Sequence, residues 1–370
     1  MSLLPPRRNA EYMEPAERNQ EPAPALAAAL AQLAAGRHLD RRQARAAMEV
    51  ILRGEAGDAH IAALLAALRT KGETVEEIVG FAEALRAHAR PLFAANGRPA
   101  GRLVDTCGTG GDAAGTFNVS TAAAFVAAAA GARVAKHGNR SVSSRCGSAD
   151  VLEALGVNIL AEPERVAAAI RELGIGFIFA PSVHTAMRNA QRARRQLGGR
   201  TVFNLLGPLT NPAGVDAQVV GVPEPRWLEP MAEALRALGV RHAFVVHSRD
   251  GLDEASLAAA TEVVELRDAQ TQRFELTPED FGLPRAPREA LAGGDAETNA
   301  KIIERVFAGE RGPQRDVVLM NAALALVVAG QARDYREGVA QSRQALESGA
   351  ARERLRALVE FTNRPREQTR

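Results

Sequence analysis

The sequence is short of aromatic residues, of cysteine, of long apolar runs and of either sign of charge in excess. Each shortage closes off a class of protein. Aromatics make up 4% of 370 residues, so a core has to be built from Ala, Leu and Val. The two cysteines, Cys107 and Cys146, have no CxxC partner and no His at metal spacing, which argues against a zinc site or a disulfide framework. They read as reduced thiols of a cytoplasmic protein. No apolar run reaches about 18 residues without a charge, so no membrane span is expected. Lys+Arg is 46 and Asp+Glu is 44, a formal charge of +2. That balance argues against a dedicated nucleic-acid binder and leaves only a local basic groove open. Residues 1–24 are rich in Pro, Glu and Arg, lack a signal-peptide core, and read as a disordered extension.

What is present is 46% hydrophobic residues, enough for one large or two ordinary domains. From 25 to 91 the apolar period is helical. Leu30 and Leu33, then Met48, Ile51 and Leu52, then Ile61, Leu64, Leu65 and Leu68 form successive stripes. Thr74-Val-Glu-Glu77 has the form of a capping box that opens a fourth helix. Such a set of short helices packs on itself, on the rest of the chain or on a second subunit. Residues 92–100 read as a linker.

Beyond the linker the pattern alternates. Strands are expected at 102–106, 132–136, 176–180, 218–222, 243–247 and 262–266. Helices are expected at 120–130, 148–155, 163–173, 184–197 and 227–238, with three more near 296–308, 314–329 and 336–347. This predicts an α/β fold: a small N-terminal helical domain, joined by the helix near 184–197, and a large domain at 100–363 with a mostly parallel central sheet flanked by helices. No internal repeat is present.

The chemistry concentrates at strand ends. Asp105-Thr-Cys-Gly-Thr-Gly-Gly-Asp-Ala-Ala-Gly-Thr-Phe-Asn-Val-Ser-Thr121 leads from a strand through Gly108, Gly110, Gly111 and Gly115 into a helix that Asn118 or Ser120 caps. Such a turn bares backbone N–H groups and suits phosphate. Gly108-x-Gly110-x-x-Ala113 matches a dinucleotide fingerprint only formally. The helix starts late, and Arg133 and Lys136 stand where a ribose-binding acid belongs. No Gly-Lys-Ser/Thr follows, so it is not a Walker A loop. Asp112 is out of place beside phosphate unless it bonds a backbone N–H or a ligand hydroxyl. The next strand ends in Lys136-His-Gly-Asn-Arg-Ser-Val-Ser-Ser-Arg-Cys-Gly-Ser148, with cations, hydroxyls and glycines for a second anion. His137 alone is ambiguous between a wall residue and a base. Asp253-Glu254 taken alone is a solvated acidic pair; beside two anion loops it suits Mg²⁺. Spacing puts Arg188, Arg192 and Arg195 on one solvated helix face and frees Arg194 to hold a carboxylate. Asn204 through Pro212 reads as a turn that shapes the wall of the site.

These blocks together resemble the anthranilate phosphoribosyltransferase family: Gly108-Thr-Gly-Gly-Asp112, Asn118-Val-Ser-Thr121, Lys136 through Ser144, Asn204 through Pro212, and Asp250-Gly-Leu-Asp-Glu254. The resemblance runs from about residue 25 to residue 363. It implies transfer of phosphoribosyl from phosphoribosyl diphosphate to anthranilate in tryptophan biosynthesis, with two Mg²⁺ ions and a homodimer formed through the helical domain. No nucleic-acid or membrane partner is implied. The implied substrate contacts are Gly108, Gly111, Asp112, Thr116, Asn118, Val119, Ser120, Thr121, Lys136, His137, Gly138, Asn139, Arg140, Ser141, Val142, Ser143, Ser144, Ser148 and Arg194. Asp112, Lys136 and Arg194 are the implied catalytic residues, and Ser120, Asp253 and Glu254 the implied metal ligands. Gly108, Asn139 and Arg194 would meet anthranilate. The chain departs from the family at Thr185, where proline is usual, and at Arg192, where a small residue or proline is expected. A nucleoside phosphorylase of the same fold and a non-catalytic nucleic-acid-binding relative are the alternatives. The Asn139–Ser144 run and Arg194 argue against the first, and the intact Asp253-Glu254 pair and the charge balance against the second.

Overall fold

The computed structural model describes residues 22–93, 97–112, 114–141 and 145–365. Most of the N-terminal extension, residues 1–21, lies outside the described residues. The helical part comprises α1 (Pro24–Ala34), α2 (Arg41–Leu52), α3 (Asp58–Lys71) and α4 (Val75–His88). The Thr74–Glu77 capping box forms as the sequence predicts: Thr74 N–H donates to Glu77 at 2.8 Å and Glu77 N–H donates to the Thr74 hydroxyl at 3.3 Å. Glu77 is fully buried and also accepts from Leu39 N–H at 2.9 Å and from Lys71 at 3.0 Å. One carboxylate therefore caps α4 and ties it to the segment before α2 and to the end of α3. At Gly80 α2 and α4 meet so closely that a Cβ would lie 2.3 Å from the Arg41 carbonyl oxygen.

The α/β part follows in the order β1 (Leu103–Gly108), α5 (Val119–Ala129), β2 (Arg133–Gly138), α6 (Ser148–Ala154), α7 (Pro163–Leu173), β3 (Ile175–Phe179), α8 (Ala180–Val183), α9 (Arg188–Leu197), α10 (Val202–Leu206), β4 (Ala217–Gly221), α11 (Leu228–Ala237), β5 (His242–Ser248), β6 (Thr261–Arg267), β7 (Gln270–Leu276), α12 (Ala296–Phe307), α13 (Pro313–Ala329), α14 (Tyr335–Glu347) and α15 (Ala350–Asn363). The seven strands form one sheet in the order β3-β2-β1-β4-β5-β6-β7. Each neighbouring pair from β3 through β2, β1 and β4 to β5 is parallel, and β6 and β7 are added antiparallel. The order reverses between β1 and β4, where an open α/β sheet leaves a crevice at its carboxyl edge.

Several features differ from the sequence expectation. The helix expected at 184–197 is broken: α8 ends before His184, a 3-10 turn covers Thr185–Met187, and α9 begins at Arg188. His184 leaves helical geometry at φ −108° and ψ 53°, and its side chain turns into the protein. β7 was not expected, because Gln270-Thr-Gln-Arg273 is polar and exposed at the sheet edge. Asp268 and Ala269 adopt φ of 49° and 67° and close the β6–β7 hairpin without a glycine. Finally, a fourth helix, α15, follows the three expected late ones.

α5 is buried along nearly its whole length, as is α13, which packs on it. Ala-rich sequence allows this, because small side chains let helix backbones approach closely. On the other face of the sheet, Ala190 and Ala193 of α9 are buried in the same apolar cluster as the inward residues of α1–α4 and α11. Among the described residues no helix is long and apolar enough to cross a membrane.

Candidate active site

The loop after β1 adopts left-handed backbone at Gly110 (φ 63°), Gly111 (86°) and Gly115 (67°). Gly108 serves a different need. A Cβ there would lie 2.6 Å from Asp253 Oδ2, and one at Gly221 would lie 1.7 Å from the Asp253 carbonyl oxygen. Two glycines at the ends of β1 and β4 thus make room for the Asp253 loop. Asp112 Oδ1 accepts from Ala114 N–H at 3.3 Å, one of the two roles its position called for. Ala113 lies outside the described residues. Thr116 is half-buried and bridges to Ala292.

Asn118 occupies the N-cap position of α5, but its side chain does not cap. It donates to the Cys146 carbonyl at 3.2 Å and accepts from Asn299 at 2.9 Å and from the Cys146 thiol at 3.3 Å. Asn118 therefore links the first loop to the second and to α12. Val119 is placed as a core residue: its side chain is buried and its N–H is taken by the Phe117 carbonyl at 2.7 Å. Ser120 lies at the mouth of α5, and its N–H donates to Glu254 Oε1 at 3.1 Å. The buried Thr121 hydroxyl has no partner among the described residues.

At the end of β2, Lys136 is buried and donates to the carbonyl and hydroxyl oxygens of Thr106 on β1. Beside it Asp105, fully buried, accepts from His137 N–H at 3.2 Å and from Asn211 Nδ2 at 2.8 Å. Burial pushes Asp105 up to about 6 against the attraction of Lys136, and pushes Lys136 down. Lys136 thus sits beneath the loops. In the second loop Gly138 clears Ser148, whose Oγ would be 2.2 Å from a Cβ, and Gly147 clears Ser141 N at 2.4 Å. Asn139 is exposed; its Oδ1 accepts from Arg140 N–H at 2.8 Å. The Arg140 guanidinium faces away from the crevice onto α6, pairing with Asp150 at 2.9 Å and Glu153 at 2.8 Å. Ser141 N–H bonds Asp150 at 3.0 Å, and Ser148 Oγ bonds the Asn139 carbonyl at 3.4 Å. Val142, Ser143 and Ser144 lie outside the described residues.

Asp253 and Glu254 are half-buried under the first loop. Burial, then repulsion from Asp112 and Glu254, raises the Asp253 carboxyl well above the ordinary range. Burial raises Glu254 to about 7, with Lys136 and Ser120 opposing. Crowded carboxylates of this kind suit a divalent cation. Among the described residues no three His, Cys, Asp or Glu side chains converge into a complete cage. The set fits Mg²⁺, which takes one or two carboxylates and completes its shell with water and substrate phosphates.

Arg188, Arg192 and Arg195 are exposed, and Arg194 is half-buried with its guanidinium 4.8 Å above the Phe203 ring. Among the described residues no carboxylate lies within ion-pair distance of Arg194, and burial lowers its pKa. Arg194 lines a cavity of about 250 Å³ together with His137, Asn139, His184, Phe203 and Thr210. His137 Nδ1 lies 3.2 Å from the Gly207 carbonyl, which it satisfies as a donor, and buried Nε2 has no partner among the described residues. Burial pushes His137 down to about 3 and His184 to about 4, so both rings are neutral. Thr185 is exposed, and Arg192 pairs with Asp58 at 3.2 Å. The Asn204–Pro212 stretch, expected as a turn, starts inside α10 and continues as a 3-10 turn over Gly207–Leu209; it lines the cavity through Leu206, Gly207 and Thr210, and Asn211 anchors Asp105. A larger open groove of about 1160 Å³, between α7 and the end of α15, contains none of these residues.

Sequence reasoning passed over Asp105, His184, Phe203, Arg200, Asn211 and Gly221. Only Asp105 carried a plain signal, an acid within an otherwise apolar strand.

The helical bundle and the α/β domain together place the chain in a glycosyl transferase family. Residues 100–352 match the family model described as glycosyl transferase family, a/b domain, and residues 27–89 its helical bundle domain. The anthranilate phosphoribosyltransferase of Solibacter usitatus (strain Ellin6076) is 54% identical over 332 residues, 90% of this chain and 97% of that protein. The crystal structure of the Thermus thermophilus anthranilate phosphoribosyltransferase superposes with a TM-score of 0.85 at 49% identity, covering 91% of this chain and 99% of that one. The Saccharomyces cerevisiae enzyme in complex with PRPP and Mg gives a TM-score of 0.83 at 27% identity, over 91% and 97% of the two chains. The chain belongs to the anthranilate phosphoribosyltransferase family.

Proposed function

We infer that the chain transfers the phosphoribosyl group of 5-phosphoribosyl 1-diphosphate to the amino group of anthranilate, giving N-(5-phosphoribosyl)anthranilate and diphosphate, a step of tryptophan biosynthesis. The C1–O bond to diphosphate breaks and the electron pair leaves with that oxygen. The aniline nitrogen supplies the pair for the new C1–N bond and then loses a proton to solvent. Asp253, Glu254 and Ser120 would hold Mg²⁺, which would supply charge neutralisation for the diphosphate. The backbone N–H groups of the first loop, the α5 N-terminus and the polar groups around Asn139 and Ser148 hold the phosphates. Arg194 holds the anthranilate carboxylate by a two-pronged hydrogen bond, with the ring against Phe203. His137 and His184, both neutral, form the cavity wall. Aniline nitrogen is already a free base at neutral pH, so catalysis rests on aligning amine and C1.

The observation that carries this reading is Arg194, half-buried without a carboxylate among the described residues, in a one-ring cavity that shares Asn139 with the second loop. The test is the fall of anthranilate fluorescence on mixing the protein with phosphoribosyl diphosphate and Mg²⁺. Absence of that fall, with activity instead on phosphate plus a pyrimidine nucleoside, would overturn the reading. Two Mg²⁺ ions, a cytoplasmic location and a homodimer through α1–α4 belong to the same proposal. A monomeric mass by light scattering would remove the dimer from it.

A further inference from the structure

Arg200 carries no sequence signal of its own, yet its guanidinium packs directly on the first loop. α9 ends at Gly198 and Gly199, both left-handed with φ of 64° and 69°. That reversal carries Arg200 back over the carboxyl edge of the sheet. Its other flank is fixed, because Thr201 N–H donates to Asn204 Oδ1 at 3.0 Å and α10 begins there. From this short span the guanidinium donates to the Gly110 carbonyl through Nη1 and to Thr109 Oγ1 at 3.5 Å through Nη2.

The contact is tight. A Cβ on Gly111 would lie 1.6 Å from Arg200 Nη1, so a side chain there would push the guanidinium off the loop, and the positive φ of 86° favours glycine at 111 in any case. Fixing the Gly110 carbonyl has a consequence one atom further on. The Gly110 C=O and the Gly111 N–H belong to one planar trans peptide and point in opposite directions. A guanidinium that holds the carbonyl on one side therefore aims the N–H to the other. Arg200 is half-buried and has no carboxylate within ion-pair distance among the described residues, although Asp253, Glu224 and Asp112 attract it from further off.

We propose that Arg200 is a positioning residue for phosphoribosyl diphosphate: it fastens the Gly110 carbonyl and so presents the Gly111 N–H to the diphosphate. The proposal rests on the function inferred above. Arg200 lies on the same run of chain as Arg194, so the cation for the acceptor's carboxylate and the fastener of the donor's loop are carried by one α9–α10 segment. That segment is tied to the helical part by Asn189 Nδ2, which donates to the Leu52 carbonyl at 2.9 Å.

The test compares the parent with Arg200→Ala and Arg200→Lys. Losing a charge-assisted bond that sets the loop should raise KM for phosphoribosyl diphosphate by about tenfold or more while KM for anthranilate stays within about twofold. Affinity for inorganic diphosphate with Mg²⁺, read by calorimetry, should fall by a similar factor. Lysine, able to restore one of the two bonds, should recover part of both losses. If Arg200→Ala does not fold, as judged by thermal denaturation, Arg200→Lys carries the comparison, with a smaller loss confined to the diphosphate side. Unchanged diphosphate affinity, or equal loss for both substrates, would overturn the proposal. A parent protein inactive on anthranilate would instead sink the functional reading, and calorimetry would still decide the role of Arg200.

Discussion

Glu254 accepts a hydrogen bond from the Ser120 N–H at 3.1 Å, across 134 residues of sequence. The carboxylate meets the positive end of α5, while Asp253 beside it is pressed against Asp112. Glu254 is also attracted by Lys136, and Asp253 is only partly relieved by the Gly110 N–H. Both face the loop where a leaving diphosphate would collect.

Adding Mg²⁺ with inorganic diphosphate should therefore raise the thermal midpoint of the parent, by about 1.4 kcal/mol of stability at a tenfold excess over Kd. In Asp253→Asn and Glu254→Gln that shift should disappear and turnover should fall by about a hundredfold or more. Asp253→Asn should also be the more stable protein in metal-free buffer, because it removes one of three crowded carboxylates. Differential scanning calorimetry with and without the ions reads all of this; an undiminished Mg²⁺ shift in both variants would show that the ions sit elsewhere.

Arg194 stacks on Phe203 at 4.8 Å beside the cavity. Arg194→Ala should raise KM for anthranilate by about 10- to 100-fold, the worth of a charge-assisted hydrogen bond, and change KM for phosphoribosyl diphosphate far less. Initial-rate kinetics with each substrate varied in turn separates the two. Equal losses would remove the residue from its role.

Acid should weaken the fold through the two buried imidazoles. Their folded values, about 3 for His137 and about 4 for His184, lie below the ordinary 6.5. Between pH 6.5 and 4 the unfolded chain binds more protons, so stability is present above that window and lost as pH falls through it. Asp105, held up at about 6, opposes this: its costly ionisation is relieved as pH falls. The difference between parent and variant isolates the imidazole. Lowering pH from 7 to 5 should cost the parent about 1–2 kcal/mol more than it costs His184→Gln, measured by urea denaturation. Parallel losses in the two proteins would place the acid sensitivity on other groups.

The Arg192–Asp58 pair joins α9 to α3, but its side chains are 55% and 33% exposed. Arg192→Ala should then cost no more than about 0.5 kcal/mol and leave KM for anthranilate within about threefold. A tenfold change in that KM would mean that this departure from the family sequence has been recruited to the site.

The legibility of the sequence follows what each signal depends on. Thr74–Glu77 is a local pattern with a local consequence, and it formed. The glycines after β1 were readable because positive φ has few other tenants. Gly108 was visible as a glycine, but its neighbour Asp253 comes from a distant loop, so the reason for it was not. β7 was hidden because an exposed edge strand needs no apolar alternation, and its turn is built from Asp268 and Ala269 instead of glycine. Arg140 looked like a phosphate ligand beside Lys136, but the placement of Asp150 and Glu153 on α6 directs it outward. Arg200 could not be singled out among 46 basic residues. What distinguishes it is a carbonyl oxygen it reaches only after α9 has reversed.

The alanine sheath of α5 has a thermodynamic consequence. A helix gripped on every side by α13, α15 and the sheet has no freedom left to surrender when a ligand docks at its tip. Docking a ligand at its tip then costs the helix itself little entropy. Selection for a tighter or looser grip on the sugar can work at the residues around that tip and leave the frame untouched.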